Sequence, residues 1–461
     1  MNITLIVLLV YFALMLGVAW YFSRRESLEI YFLNKRKTSF WLMTFANVAT
    51  IVGAGATVAI VSEVYNSGIS YGLALPASFI FGMIIMGIVA KKIRSIGEKY
   101  DAYTIVDFFH KRFDDKNKNL VGVLQIFLLI IWIAIQAVAI ATLASVLTGI
   151  NYNLAIILSI GITVIYTTMG GLKVDIITDF IQFWIILVTF IIMTILGYVN
   201  IGGLTSLMSK LPAGHLNPFA FGGISWFIGA ILLSGFVYVA NASHWQRILS
   251  CKDEKTARKS FFWSIPFMII ISAMVLFFGL LSATLLSGIN QDAAFYSLMY
   301  KILPVGLAGV GFASMLAVIM SSIDSLVVGG STIIYRAVFK KNQFDNKKEM
   351  LYARLITALF GILGGFIAFI IPNIITLSLF VTYLTLIFVP AIFAALYSKK
   401  KSANASFYSL LISFILLLIL FPIVGKNTFL ITTLIAVLIV LFYDKIFKKK
   451  VLIPALGKPS Q

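Results

Sequence analysis

The segment Leu316-Ala317-Val318-Ile319-Met320-Ser321-Ser322-Ile323-Asp324-Ser325 places three hydroxyls and a carboxylate in the middle of an apolar run from about 304 to 335. An ionisable residue at membrane depth costs at least ~2.5 kcal/mol and usually faces a cavity or a partner. Ser321, Asp324 and Ser325 share one helix face by their i, i+3, i+4 spacing. Hard oxygen ligands that converge on one face suit Na⁺ or another hard cation.

The composition of the chain is that of an integral membrane protein. Of its 461 residues 61% are hydrophobic and 11% are charged, with a mean hydropathy of +1.02. Soluble domains lie far below this apolar fraction. Apolar runs of about 20 residues, long enough to cross hydrocarbon, recur along the whole chain. They predict an all-α fold of thirteen transmembrane helices, at 3–22, 40–66, 70–92, 118–148, 152–170, 175–200, 226–249, 259–287, 304–338, 350–371, 373–397, 405–424 and 427–444.

The distribution of positive charge predicts the orientation in the membrane. Basic residues follow predicted helix 1, which favours an outside N-terminus and an inside C-terminus. Only Lys210, Lys301 and Lys426, of 36 Lys and Arg, then fall on the outer side. The net charge of +19 thus reflects topology rather than nucleic-acid binding, and anionic lipid headgroups are the expected partners of runs such as 399–401 and 448–450. With a single cysteine, Cys251, no intramolecular disulfide can form.

Two predicted helices are interrupted by small and polar residues. Predicted helix 2 has Asn47 to Thr57 at its centre, and predicted helix 7 has Tyr238 to His244. Small residues can simply permit close helix packing. However, five helices separate the two interruptions, so the segments run in opposite directions, which is typical of an inverted-repeat transporter. The repeats would be predicted helices 2–6 (40–201) and 7–11 (226–397), with helix 1 (3–22) and helices 12–13 (405–444) peripheral in one transporter domain.

The ionisable residues near membrane depth leave several alternatives open. Asp179, about one turn into predicted helix 6, lies on the correct side to meet Asp324 and Ser325, where two carboxylates would need a cation between them or share a proton. Asp179 could instead pair with a loop lysine, and Asp324 with an inner-loop arginine. Four other residues lie at predicted helix ends and are expected at the interface rather than buried: Glu63, Asp175, Arg247 and Arg354.

Several stretches resemble the sodium:solute symporter family. They are residues 27–33, Tyr103 to Phe113, Gly170 to Gln182, the Gln246-Arg247 pair and the Met320 to Ser325 run. The resemblance spans nearly the whole chain and implies a five-plus-five inverted-repeat core like that of the leucine transporter. It implies Na⁺ as the coupling ion.

Carried over residue by residue, the resemblance assigns two ion sites. The main Na⁺ site would use the carbonyls of Ala49, Val52 and Val318 and the hydroxyls of Ser321 and Ser322. A second Na⁺ or proton site would use Asp179, Asp324 and Ser325, although Asp324 replaces one of the family's hydroxyls. The substrate would lie beside the broken helices, with Thr50, Gly53, Ala54, Thr57, Gln136, Tyr238, Asn241, Thr382 and Tyr383 as wall residues.

These expectations converge on Na⁺-coupled symport of a small solute into the cell across the plasma membrane. The substrate is expected to be an amino-acid-like solute or a small carboxylate, since Ala56 stands where the family's galactose carrier has its sugar-binding glutamine. Proton coupling through Asp179 and Asp324 is the alternative, and a transporter-like channel or sensor is a weaker one. No catalytic motif indicates an enzyme. The sequence does not fix the oligomeric state and is compatible with a functional monomer.

Overall fold

The structure, a computed structural model, describes residues 3–24, 27–339, 346–370, 374–398 and 402–446, and every regular element in those ranges is helical. The α-helices are α1 (Ile3–Phe22), α2 (Leu28–Leu33), α3 (Phe40–Ile51), α4 (Val58–Ser67), α5 (Ile69–Lys99), α6 (Ile105–Arg112), α7 (Asp115–Thr148), α8 (Tyr152–Ile201), α9 (Gly203–Lys210), α10 (Gly223–Ala240), α11 (Ala242–Ser250), α12 (Glu254–Leu285), α13 (Ala294–Ile302), α14 (Val305–Val338), α15 (Asn346–Ile370), α16 (Ile374–Leu386), α17 (Phe388–Tyr397), α18 (Ala403–Val424) and α19 (Thr428–Ile446).

The predicted all-helical membrane fold is confirmed. Within the described ranges ten helical segments are long and apolar enough to cross a bilayer, one of them formed by α16 and α17 together (Leu377–Tyr397), and α3 with α4 forms one further, bent span. Of the ten, α14 is the most deeply buried, whereas α10 and α19 bury the least of their surface. The central helix is therefore the one that carries the Ser-Ser-Ile-Asp-Ser run. The number of crossings and the orientation stay predictions.

The predicted interruption of helix 2 is a real break. The chain bends by 75° between α3 and α4, and Ala54–Ala56 forms a 3₁₀ turn between them. A Cβ atom on Gly53 would collide with Ser322 Oγ of α14, so the absence of a side chain at Gly53 leaves the space that the Ser322 hydroxyl occupies. Because α3 ends here, its last carbonyls have no partner within their own helix and are free to bind other groups.

The predicted interruption of helix 7 is also a break, between α10 and α11. Asn241 lies between them and caps α11, accepting hydrogen bonds from Ser243 N (2.9 Å) and Ser243 Oγ (2.7 Å). Gln125 of α7 serves both sides of the break: its Nε2 donates to Ala240 O (2.7 Å) and its Oε1 accepts from Ala242 N (3.3 Å). Irregular backbone inside a membrane protein requires such internal partners.

A third discontinuity lies at Gly171. The sequence predicts separate helices at 152–170 and 175–200, and the structure joins them as α8 with a kink at Gly171 (φ 52°, ψ −145°). A Cβ atom at this position would overlap the carbonyl oxygen of Tyr31 in α2. Gly171 thus combines a backbone conformation that side chains disfavour with a contact that leaves no space for one.

Gly171→Ala should therefore destabilise the protein by about 2 kcal/mol or more, because it adds backbone strain and a collision with α2. The matched control is Gly161→Ala in the same helix, where a Cβ atom would have no neighbour within 4 Å and alanine has the higher helix propensity. Thermal unfolding in one detergent would compare the two variants. Equal melting temperatures for both would contradict this account of the kink.

Candidate functional site

The hydroxyls of α14 bind the last backbone carbonyls of α3, which have no partner within their own helix. Ser321 Oγ lies 2.9 Å from Ala49 O and 3.1 Å from Val318 O, and Ser322 Oγ lies 2.9 Å from Thr50 O. Ser321 is fully buried and Ser322 nearly so. Four of the five residues of the predicted main Na⁺ site therefore lie at this contact: Ala49, Val318, Ser321 and Ser322. Ser322 binds the carbonyl of Thr50, the residue after Ala49.

The fifth residue, Val52, is the first one after α3. Its φ and ψ of −76° and 56° are no longer helical, so its carbonyl leaves the direction of the helix axis. Neutral oxygens about 3 Å apart can share one small hard cation, and hydroxyl and carbonyl oxygens are the ligands that such a cation prefers. The donor set at the α3–α14 contact therefore fits Na⁺.

Three buried carboxylates lie close to this contact. Oxygen atoms of Asp175, Asp179 and Asp324 all lie within 4.8 Å of one another, and all three residues are fully buried. Asp175 and Asp179 share one face of α8 by their i, i+4 spacing, and Asp324 comes from α14. The predicted approach of Asp179 to Asp324 is thus present in the structure, with Asp175 as an additional member.

Arg247 of α11 joins the carboxylates. Its Nη2 donates to Asp175 Oδ2 (3.0 Å), to Asp179 Oδ2 and to Ser325 Oγ. The prediction that Asp175 and Arg247 lie at the interface is wrong, because both are fully buried. The break before α11 turns this short helix inward, and all nine of its residues are buried.

The remaining contacts of this cluster are neutral. Tyr166 OH donates to Asp324 Oδ2 (2.8 Å), Thr50 Oγ1 lies 3.0 Å from Asp179 Oδ2, and Ser325 Oγ lies 2.8 Å from Asp175 Oδ1. If all three carboxylates are ionised, one guanidinium leaves a surplus of two negative charges. Buried charge without compensation is expensive, so a bound cation or a shared proton would have to offset that surplus.

Some polar atoms of the cluster have no hydrogen-bond partner among the described residues. They are Asp179 Oδ1, Arg247 Nε, Arg247 Nη1 and, one turn along α8, Gln182 Oε1. Gln182 Nε2 donates to Tyr11 OH (2.9 Å), and Tyr11 in turn contacts Met320 of α14. Buried polar groups are normally satisfied, so the two oxygens, Asp179 Oδ1 and Gln182 Oε1, are open to coordination by a further ligand.

The predicted substrate residues fall into three groups, at the first break, at the second break and on α16. At the first break, Gln136 Oε1 accepts from Ala54 N (3.1 Å) and Thr57 Oγ1 donates to Gly53 O (2.9 Å). Thr50 contacts the carboxylates nearby, so five of the predicted residues cluster here. Tyr238 and Asn241 lie at the second break, where the Tyr238 ring packs against the buried His244 (ring centroids 5.3 Å apart).

Thr382 and Tyr383 lie on α16. The Tyr383 ring packs against Phe421 of α18 and Phe429 of α19, so its ring faces the C-terminal helices. Two roles escaped prediction: Gln125 supports the second break from α7, and Arg247 binds the carboxylates. Gln125, like Gln136, is an amide side chain in an otherwise apolar span, and this polarity was the signal that could have identified it.

Of the other predicted interfacial residues, Glu63 and Arg354 are half-buried, and Arg354 Nη2 donates to Met169 O (3.0 Å). The basic runs 399–401 and 448–450, predicted to meet anionic headgroups, lie outside the described residues.

At one end of the bundle, arginine side chains bind the backbone of the α11–α12 connection, and we call this set of hydrogen bonds the seal. Arg94 of α5 donates to Cys251 O (2.7 Å) and Lys252 O (3.4 Å), and Arg36 donates to Leu249 O (3.1 Å). Thr38 adds backbone hydrogen bonds to Ser250 and Lys252. Cys251 is fully buried in this seal, and burial raises the pKa of its thiol to about 12.

The thiol of Cys251 should therefore report whether this seal is open. At pH 7.5 a thiol of pKa about 12 is thiolate in fewer than roughly one part in 10⁴, whereas an exposed thiol is so in roughly a tenth. We expect Arg94→Gln to raise the rate of maleimide labelling at least about tenfold. Lys252→Gln, an exposed change beside the same cysteine, serves as the control. Unchanged labelling of Arg94→Gln would show that these bonds do not hold the seal.

Comparisons with known proteins place this chain in a family. The model of the sodium:solute symporter family matches residues 31–413. The sodium/pantothenate symporter of Haemophilus influenzae is 26% identical over 447 residues, covering 90% of this chain and 91% of the relative. The sodium/proline symporter of Staphylococcus aureus is 26% identical over 390 residues, covering 79% and 75%.

Solved structures share the fold. A Na⁺-coupled sialic acid symporter in a substrate-bound, outward-open state superposes with a TM-score of 0.84 at 18% identity, covering 96% of this chain and 98% of that one. MhsT in complex with L-phenylalanine gives 0.54 at 14% identity, covering 89% and 100%. The fold is that of the leucine transporter group. The chain therefore belongs to the sodium:solute symporter family, and is a multi-pass plasma-membrane protein that couples solute transport to Na⁺ rather than an enzyme.

Proposed function

We propose that this symporter takes up an amino-acid-like solute or another small carboxylate, driven by Na⁺ bound between α3 and α14. The observation that carries the ion site is the approach of Ser321 and Ser322 to the carbonyls of Ala49 and Thr50. Val52 and Val318 supply the other carbonyls. The proposed organisation is a first repeat at 40–201, a second at 226–397 and peripheral helices at 3–22 and 405–444, with the N-terminus outside and the C-terminus inside.

Sodium binding would couple to the conformation of the carrier. An ion held jointly by the broken helix α3–α4 and by α14 stabilises the state in which the two are in contact, which in this account is the outward-open one. The same ion orders the backbone around Gly53 and Ala54, where the substrate binds, so Na⁺ and substrate should each raise the affinity of the other.

The substrate class is supported by the chemistry of the breaks. At the first break the amide of Ala54 is bound by Gln136, and at the second the first N–H groups of α11 are bound by Gln125 and Asn241, so a carboxylate there would meet the positive end of the α11 dipole rather than unpaired amides. Helix N-termini favour anionic groups. Proline and pantothenate, the solutes named for two relatives, both carry a carboxylate. The substrate would be lined by Thr50, Gly53, Ala54, Thr57, Gln136, Tyr238, Asn241 and Thr382, but not by Tyr383, whose ring packs against α18 and α19.

The carboxylate cluster would be a second cation site. Asp179, Asp324 and Ser325 are its ligands, and Asp175 adds a third carboxylate. The surplus negative charge supports an ion here, and the partial occupation of these oxygens by Arg247 implies that the ion and the guanidinium share them. A proton in place of this second ion is the alternative, and a pH gradient that drives uptake at equal Na⁺ would favour it.

A thermal-shift screen of small solutes tests the substrate. Amino acids, small carboxylates and sugars are each added to the purified protein in Na⁺ and in choline. We expect an amino acid or carboxylate to raise the melting temperature only in Na⁺, since binding to the folded state stabilises it. A sugar as the sole stabilising solute would overturn the substrate class, and equal stabilisation in choline would overturn the dependence on Na⁺.

A further inference from the structure

A basic groove lies between the ends of α5 and α12, at some distance along the chain from the ion sites. Its volume is about 600 Å³, and it is lined by Lys91, Glu254, Lys255, Arg258, Lys259 and Phe262. Four cations thus face a single carboxylate, which lies 3.7 Å from Lys91 in a largely exposed pair. Such exposed pairs contribute little, so the groove keeps a net positive charge of about three.

The helix geometry explains why these side chains converge. Lys255, Arg258 or Lys259, and Phe262 follow one another at i, i+3/i+4, i+7 and therefore share a face of α12, while Ala257 and Ser260 point into the core. A Cβ atom on Gly87 of α5 would lie 2.8 Å from the Phe262 ring. Glycine at this position lets the ring lie flat against α5 and form the floor of the groove.

Apolar surface continues directly from the groove along the membrane-facing side. Ile84 and Ile88 precede Lys91 on the same face of α5 and are 36% and 58% exposed. Trp263 of α12, the neighbour of Phe262, is 52% exposed, and tryptophan is typical of the membrane interface. A molecule that fills the groove therefore meets cations at one end and hydrocarbon-facing side chains at the other.

We propose that this groove binds the phosphate headgroup of an anionic membrane lipid, with an acyl chain lying along Ile84 and Ile88. Clustered Lys and Arg at the membrane surface attract anionic lipids, and the guanidinium of Arg258 suits a phosphate. The groove lies on the predicted inner side of the membrane. The bound lipid would bridge α5 and α12 beside the bonds from Arg94 to Cys251 and Lys252, and so would stabilise the closed form of that end.

The test uses the purified full-length protein and native mass spectrometry. Phosphatidylglycerol and phosphatidylcholine with the same acyl chains are titrated onto the wild type, the triple variant Lys255→Gln/Arg258→Gln/Lys259→Gln, and the control Lys111→Gln/Lys116→Gln/Lys118→Gln, which removes the same charge elsewhere. We expect wild type and control to retain phosphatidylglycerol at a concentration at least roughly tenfold lower than phosphatidylcholine. The triple variant should lose that preference.

Two further arms separate the remaining outcomes. Glycerol phosphate or inorganic phosphate that displaces phosphatidylglycerol at equal concentration would overturn the lipid in favour of a soluble phosphate. If the triple variant does not fold, Lys91→Gln on α5 and Arg258→Gln replace it, and each should reduce the preference. An unchanged lipid preference in the variants would overturn the proposal. It would leave the proposed Na⁺ site standing, because the residues of that site lie on α3 and α14.

Discussion

Ser321→Ala is expected to raise the Na⁺ concentration that gives half-maximal thermal stabilisation by at least about tenfold, equivalent to about 1.4 kcal/mol. The hydroxyl of Ser321 lies between the carbonyls of Ala49 and Val318, so its loss removes a ligand common to both helices. The side chain is small, and the fold in the absence of Na⁺ should melt nearly unchanged. The measurement is a series of melting curves at increasing Na⁺ with ionic strength held constant by choline.

Ser331→Ala is the matched control for this change. Ser331 is also a fully buried serine of α14, and its Oγ donates to Val328 O (3.0 Å) within its own helix. It should lose a similar amount of intrinsic stability but keep the Na⁺ dependence of the wild type. An unaltered Na⁺ dependence in Ser321→Ala would count against the main site.

Arg247→Gln should be the most destabilising single change in the buried cluster, costing about 3–5 kcal/mol. Removal of one partner from a buried ion pair leaves the other uncompensated, and here three carboxylates would remain within 4.8 Å of one another. Thermal unfolding at neutral pH, in low and in high Na⁺, measures the loss. High Na⁺ should offset part of it, because a cation at Asp179 and Asp324 replaces the missing charge.

The structure offers a matched control and a rescue. Arg336→Gln removes the partner of Asp107 (3.1 Å) in a pair that is partly exposed, so it should cost less than about 1 kcal/mol. The double variant Asp175→Asn/Arg247→Gln should recover part of the stability, since it lowers the surplus negative charge by one. A single variant Arg247→Gln that melts like the wild type would refute the charge balance proposed for this cluster.

The breaks and the main ion site could be predicted from the sequence because each leaves a local trace. Gly53 and Asn241 interrupt spans that are otherwise bulky and apolar, and Ser321 and Ser322 are hydroxyls with no lipid-facing use. The burial of Arg247 left no such trace. A charged residue near a predicted helix end is ordinarily at the interface, and only the inward turn of α11 after Asn241 carries it into the core.

A charge count could have found the missing partner. Asp175 and Asp179 lie one turn apart on the same face of α8, and Asp324 was already expected to meet Asp179. Three carboxylates on converging faces need a cation from the protein or the solvent. Arg247 of the Gln246-Arg247 pair was the nearest basic residue after the predicted break in helix 7. The sequence predicts a discontinuity between 170 and 175, but not the close contact of Gly171 with the distant Tyr31, which leaves no space for a side chain.

Uptake into proteoliposomes tests the central claim most directly. With the solute identified by thermal shift, the account predicts accumulation under an inward Na⁺ gradient, at most a small fraction of it when choline replaces Na⁺, and a Na⁺ requirement raised about tenfold in Ser321→Ala but not in Ser331→Ala. Equal uptake in choline, driven by a pH gradient alone, would contradict the assignment of Na⁺ to the site between α3 and α14.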